Sequence, residues 1–233
     1  MPGPPSMAPG KLRNPRSSRS LFARAVDTER IYFELGAKIH QLPGAQLSWM
    51  ESLTASPAAT VIHRVRPEIC TANGVSWTAE IETALATIGA GMARIYLEQS
   101  DSALDRLLLR AGYVAREELI FVHSLPEPLP GLTLSLVATD ADWRRKLLLH
   151  EAVESSPDGH RTSAAQWVEL ERRKCAHGME CYLAMIDGET VGAVGAIWGD
   201  RLLRMKNVVV HPAYRRRSIG REMLCEIAAL GRK

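Results

Sequence analysis

The sequence predicts an α/β (α+β) protein, a mixed sheet flanked by helices, built as two successive units. Three observations carry this. Residues 132–233 read as strand, two helices, a three-stranded meander, a loop and a helix. Within the meander, Asp187-Gly188 stands between two apolar strand-like runs, the strongest short signal for a hairpin. Finally, Pro126-Glu127-Pro128-Leu129-Pro130-Gly131 breaks the chain. Alternating prolines fix φ and remove backbone donors, so neither helix nor central strand runs through it. The expected units are 21–125 and 132–233, joined by a linker at 126–131.

Composition agrees with a globular protein. At about 150 residues per domain, 233 residues make one large or two small domains. A 46% hydrophobic and 24% charged chain can bury a core, which excludes disorder throughout. Apolar runs such as 191–199 fall far short of the roughly 18 residues of a membrane span. Cys70, Cys175, Cys181 and Cys225 are too sparse for a disulfide scaffold, and without a signal peptide they read as reduced thiols in the cytoplasm. The net charge of +3 is concentrated in Lys11, Arg13, Arg16 and Arg19. Residues 1–20, rich in proline and free of acid, read as a disordered basic tail. The remainder, 25 basic and 26 acidic residues, sums to −1 and lacks the footprint of a nucleic-acid binder.

In order, the first unit opens with a helix over 20–41 carrying Phe22, Val26, Tyr32, Leu35 and Ile39. A strand at 60–66, a helix at 78–88 and a strand at 92–99 follow. The helix at 102–110 places Leu104, Leu107 and Leu108 at helical spacing and stops at Gly112; 118–124 alternates as a strand. In the second unit a strand at 133–137 leads to a helix capped by Asp140 and ending near Glu154. Ser163 caps a helix over 164–176. Strands follow at 181–186, 190–198 and 202–210, then a loop at 211–217. The last helix, 218–230, carries Ile219, Met223, Ile227 and Leu230 as one apolar stripe.

One segment carries chemistry. Val208-Val209-Val210-His211-Pro212-Ala213-Tyr214-Arg215-Arg216-Arg217-Ser218-Ile219-Gly220 is a strand that ends in a basic loop and opens a helix. The first turn of a helix leaves N–H groups unpaired and adds about half a positive charge. Ser218 and Gly220 are small enough to let phosphates approach the backbone, and Arg215, Arg216 and Arg217 supply charge and bidentate donors. Three arginines alone are more often a solvated loop with Ser218 as a cap. Their place between strand and helix points instead to an anion site for a pyrophosphate.

This segment resembles the GNAT superfamily of N-acetyltransferases, whose coenzyme-A signature Q/R-x-x-G-x-G/A follows a Val-x-Pro strand end. Arg215-Arg216-Arg217-Ser218-Ile219-Gly220 fills it after Val210-His211-Pro212, and Asp187-Gly188-Glu189-Thr190-Val191-Gly192 looks like the family's turn between its second and third strands. The resemblance implies a GNAT-like sheet with acetyl-CoA as cosubstrate and no metal. Val208, Val209 and Val210 would meet the pantetheine, and Arg215, Arg216, Arg217, Ser218, Ile219, Gly220 and Arg221 the pyrophosphate. The acceptor would be a primary amine, on a small molecule, a protein N-terminus or a lysine, attacking the thioester directly. Ser218 departs from the usual glycine. The family also continues with a strand, a helix bearing a thiolate-protonating tyrosine, and a closing strand pair, which do not follow Leu230 here. The resemblance therefore implies an incomplete domain whose open strand edge takes a partner chain, as in a homodimer, or belongs to a longer enzyme.

Residues 92–125 resemble that late strand–helix–Gly-aromatic–strand unit, with Leu108 where the tyrosine would stand and no cofactor loop before it. The first unit thus looks like a degenerate acetyltransferase-like accessory domain in a tandem arrangement. Among other candidates, Cys175 and Cys181 fit no structural zinc spacing. His211 reads as a solvated loop histidine, Glu180, Asp187 and Glu189 as surface carboxylates, and Tyr96 and Tyr113 as core aromatics. No catalytic side chain is assigned. The rival readings are a non-catalytic CoA-binding or interaction module and, with less support, a nucleic-acid binder using the basic segments.

Overall fold

Two four-stranded sheets with helices against them make up the computed structural model, which describes residues 20–116, 131–155, 162–199 and 202–231. Helix α1 (Leu21–Glu34) starts at Ser20, whose Oγ accepts from the Ala23 N–H at 3.1 Å. It stops before Gly36, which takes φ 68°. The predicted helix over 20–41 is thus too long: Ile39 lies in strand β1 (Lys38–Leu42). A left-handed glycine ends the helix where apolar spacing alone does not. β1 pairs antiparallel with β2 (Ala45–Trp49), β2 with β3 (Thr60–His63), and β3 runs parallel to the short β4 (Arg94–Ile95).

Between β3 and β4 lie α2 (Pro67–Asn73) and α3 (Val75–Thr87), and α4 (Ser102–Arg110) follows, capped by Asp101. Leu47, Ile62, Trp77, Ile81 and Leu104 fill this unit's core. β2 and α2 are absent from the sequence reading. The expected strand at 92–99 shrinks to two residues. The expected strand at 118–124, the linker apart from Gly131, and the tail apart from Ser20 lie outside the described residues.

The second sheet has the order β5 (Thr133–Leu136), β6 (Glu180–Ile186), β7 (Glu189–Gly199), β8 (Leu202–Val210), all antiparallel. Asp187 (φ 50°) and Gly188 (φ 82°) make the tight β6–β7 turn that this dipeptide favours. Helices α5 (Asp140–Glu154) and α6 (Ala164–Cys175) connect β5 to β6. Ser163 caps α6 as expected, but the cap of α5 is Thr139 rather than Asp140. Thr139 Oγ1 accepts from Asp142 N–H at 3.2 Å and Asp142 Oδ2 accepts from Thr139 N–H at 3.0 Å, a reciprocal pair that Asp140 cannot form with its neighbours.

Helix α7 (Ile219–Leu230) covers one face of this sheet, packing Met223 on Ala184 and Val191, and Ile227 on Val194 and Ala196. The opposite face meets α5 and the first unit. Tyr32, Phe33 and Val61 share a core with Trp143, Leu149, Leu183, Ala193 and Val209, and α1 lies along β7 and β8. Among the described residues no helix is long and apolar enough to cross a membrane.

Candidate functional site

Strand β8 ends the second sheet, and its ladder to β7 contains one irregularity. Val209 pairs with Ala193 and Lys206 with Gly195, so Asn207 and Val208 together face Val194. This is a β-bulge, with Asn207 at φ 53°. It turns the Val208 side chain outward, 43% exposed, while Val209 is buried in the core shared with α1 and α5.

The basic loop follows at once. His211 donates its N–H to Val191 O at 2.9 Å, and its Nδ1 accepts from Ala213 N–H at 3.2 Å, which closes a single 3-10 turn over Pro212–Tyr214. The histidine expected to be merely solvated is therefore a cap. Tyr214 donates its hydroxyl to Glu189 on the β6–β7 hairpin and stacks under the Arg217 guanidinium, 5.5 Å from the ring centroid. Glu189 thus anchors the loop, and Glu180 likewise accepts from the Tyr182 hydroxyl and the Trp198 indole. Neither is an idle surface carboxylate.

Arg216 and Ser218 both take left-handed backbone conformations, φ 62° and 61°. α7 then begins without a side-chain cap, and its first intrahelical bond runs from Glu222 N–H to Ser218 O at 3.0 Å. The amides of Ile219, Gly220 and Arg221 therefore have no acceptor within the helix. A Cβ on Gly220 would find no atom nearer than 3.9 Å, the Val210 Cγ2. Ile219 is buried against Leu132 and Val191, so it offers only its backbone here. Arg216, Arg217 and Arg221 are exposed around this helix start. Each residue of the predicted segment from Val208 to Arg221 is exposed or half-buried, except Val209 and Ile219, whose side chains are spent on packing.

A second group of polar residues stands behind the bulge, and sequence reasoning missed it. Asn207 Nδ2 donates to Glu171 Oε1 at 2.9 Å and to the Tyr32 hydroxyl at 3.2 Å. Glu171 also faces Lys146 Nζ at 3.2 Å, as an ion pair, and His150 Nε2 at 3.5 Å. Burial opposes the charges on both Glu171 and Lys146, but their attraction prevails. Glu171 stays below the usual carboxylate range and Lys146 above the usual amine range. Buried Glu29 accepts from Arg204 and, at 2.7 Å, from Lys206. Lys174 donates to the Tyr32 carbonyl, with its Nζ 4.2 Å from the Tyr32 ring centroid; burial, then neighbouring Lys206, pushes its pKa down to about 7. The available signal is helical spacing: Lys146 and His150 fall at i, i+4 on the same side of α5 as the buried Leu149 and Val153.

The remaining candidates are placed elsewhere. Leu108 is buried in the first unit's core, where Tyr113 also packs, and Tyr96 stacks on Phe33. Cys175 and Cys181 bring their sulfurs to 3.3 Å as free thiols. Among the described residues no three His, Cys, Asp or Glu side chains group as metal ligands.

The order of strands, the bulge at the sheet edge and the uncapped, arginine-flanked helix after it can be set beside proteins of known family and fold. Residues 177–233 match the family model of the acetyltransferase (GNAT) domain. Among solved structures, the GCN5-related N-acetyltransferase from Kribbella flavida is similar at 14% identity and a TM-score of 0.61, over 91% of this chain and 80% of that one. A functionally unknown conserved protein from Staphylococcus epidermidis ATCC 12228 is similar at 12% identity and a TM-score of 0.60, over 88% and 83%. At such identities the likeness is one of fold. No curated protein matches the chain. Residues 177–233 are thus similar to a GNAT domain in sequence, and the mixed α/β architecture is GNAT-like.

Proposed function

We propose that this protein is an acetyl-CoA-dependent N-acetyltransferase acting on a primary amine, carried by a small molecule, a protein N-terminus or a lysine. The observation that carries the reading is the uncapped first turn of α7 following the bulged strand β8. Unpaired amides at Ile219, Gly220 and Arg221, open space over Gly220 and three exposed arginines fit a pyrophosphate. β8 ends the sheet, so among the described residues its outer side has no strand partner. The backbone of Val208 and Val210 on that side can pair with the amides of a pantetheine arm.

Acetyl-CoA supplies an acetyl group activated as a thioester. The protein's part is to hold that carbonyl against backbone N–H donors of β8, which stabilise the oxyanion that forms as the neutral amine attacks. Beside the loop, Tyr214 and Glu189 are bonded to each other, and the reading is direct attack of the amine on a positioned thioester. On this reading the protein acts in the cytoplasm, and a second copy of the chain pairs with the β8 edge before the bulge, which leaves the Val208 and Val210 backbone to the pantetheine. Release of free CoA thiol from acetyl-CoA, followed across a panel of small amines, lysine peptides and peptide N-termini, tests the activity. Amine-dependent release supports it. CoA binding with no release from any acceptor would favour a non-catalytic module.

A further inference from the structure

The polar cluster behind the bulge is not used by the chemistry just described, yet it touches the strand that performs it. Among the described residues β8 is the last strand of its sheet and is held by ladder bonds on one side, and a bulge is the point where even those lapse. Its geometry must come from elsewhere. Asn207 is one of the few residue types that tolerate the left-handed backbone found there, and its side chain is held from two directions, by Glu171 of α6 and by Tyr32 of α1. On the N-terminal side, Arg204 and Lys206 are both tied to Glu29, one turn before Tyr32 on α1. Glu29 and Glu171 are 1% and 0% exposed.

A cluster serving stability alone gains little from being charged, since well-packed apolar residues in its place do as well or better. What directed hydrogen bonds add is a fixed orientation. We propose that Tyr32 and Asn207 are positioning residues for acyl transfer: their contact locks the bulge and so aims the backbone of Val208 and Val210 at the acetyl thioester. The first unit then supplies part of the site through α1, although the cofactor surface lies wholly in the second. This rests on the acetyl-CoA reading of β8.

Two variants of the full chain test it. Tyr32→Phe removes one hydroxyl and keeps the ring. Asn207→Gly keeps the left-handed φ without strain and removes the amide. Amide hydrogen exchange over 207–210 and calorimetric titration with CoA and with acetyl-CoA are the readouts. In both variants exchange over 207–210 should quicken at least tenfold, with α7 changing less than twofold. Affinity for CoA should stay within twofold, while the preference for acetyl-CoA over CoA falls at least fivefold. If Asn207→Gly does not fold, Tyr32→Phe decides alone. Unchanged exchange and unchanged preference in folded Tyr32→Phe would overturn the proposal. A wild-type protein that binds neither CoA nor acetyl-CoA would instead overturn the acetyl-CoA reading, and the exchange rates would then judge the lock by themselves.

Discussion

Ser218 occupies a backbone conformation that glycine enters freely and other residues enter at roughly 1 kcal/mol. Its hydroxyl caps nothing in α7, so little repays that strain. Ser218→Gly should raise the melting temperature by a few degrees in a thermal scan and leave CoA affinity equal or better. A marked loss of affinity would make the hydroxyl a ligand. His63 is the clearest titrating residue. Fully buried beside Ser48, its Nε2 2.6 Å from the Ser48 Oγ, it has its pKa lowered by desolvation from 6.5 to about 4. Between those values the unfolded chain binds the proton and the native chain does not, so stability falls as pH falls. The loss attributable to His63 can reach about 3 kcal/mol across that window. Urea denaturation at pH 6.5 and pH 4 should show a much smaller drop in His63→Gln than in the native sequence.

At the scale of elements, the seam between β7 and α7 depends on Gly192. A Cβ there would lie 2.8 Å from both the Met223 sulfur and the Val209 carbonyl oxygen. Because that oxygen is backbone and cannot swing away, Gly192→Ala should destabilise the fold by about 2 kcal/mol, measurable as a shifted urea midpoint at unchanged slope. Elements of this second unit were legible because each has a strong local signal: Asp187-Gly188 sets the hairpin, Ser163 the start of α6, and the Ile219–Met223–Ile227 stripe the buried face of α7. In the first unit the signals are tertiary. β2 is short and buried along most of its length, so it shows no alternation, and Ile39 continues a helical pattern that Gly36 cuts. The same division holds for the site. The loop from Arg215 to Gly220 is contiguous and readable in one pass. The cluster of Glu29, Tyr32, Lys146, Glu171 and Asn207 comes from four separate elements, and only folding brings it together.

Over the whole molecule, the two sheets are joined by a core to which both units contribute. Tyr32 and Phe33 of α1 and Val61 of β3 pack with residues of the second sheet, and Glu29 is ion-paired across the units with Arg204 and Lys206 of β8. Separating the units would break both of these ion pairs and uncover the shared core. A chain cut between Pro126 and Pro130 should therefore give two pieces that co-elute on size exclusion, and separate elution would contradict this. Among the described residues the outer edge of β8 is open, which bears on assembly: sedimentation should show a dimer, and a monodisperse monomer would contradict it. The most direct test of the cofactor surface is calorimetric titration of CoA into the native sequence and into Gly220→Val. A Cβ on Gly220 would meet no atom nearer than 3.9 Å, so a melting temperature read alongside separates lost approach of a ligand to the helix start from a disturbed fold. The expected result is saturable CoA binding by the native protein and a loss of at least tenfold in Gly220→Val at an unchanged melting temperature; equal affinity in the two proteins would contradict the assignment of the site.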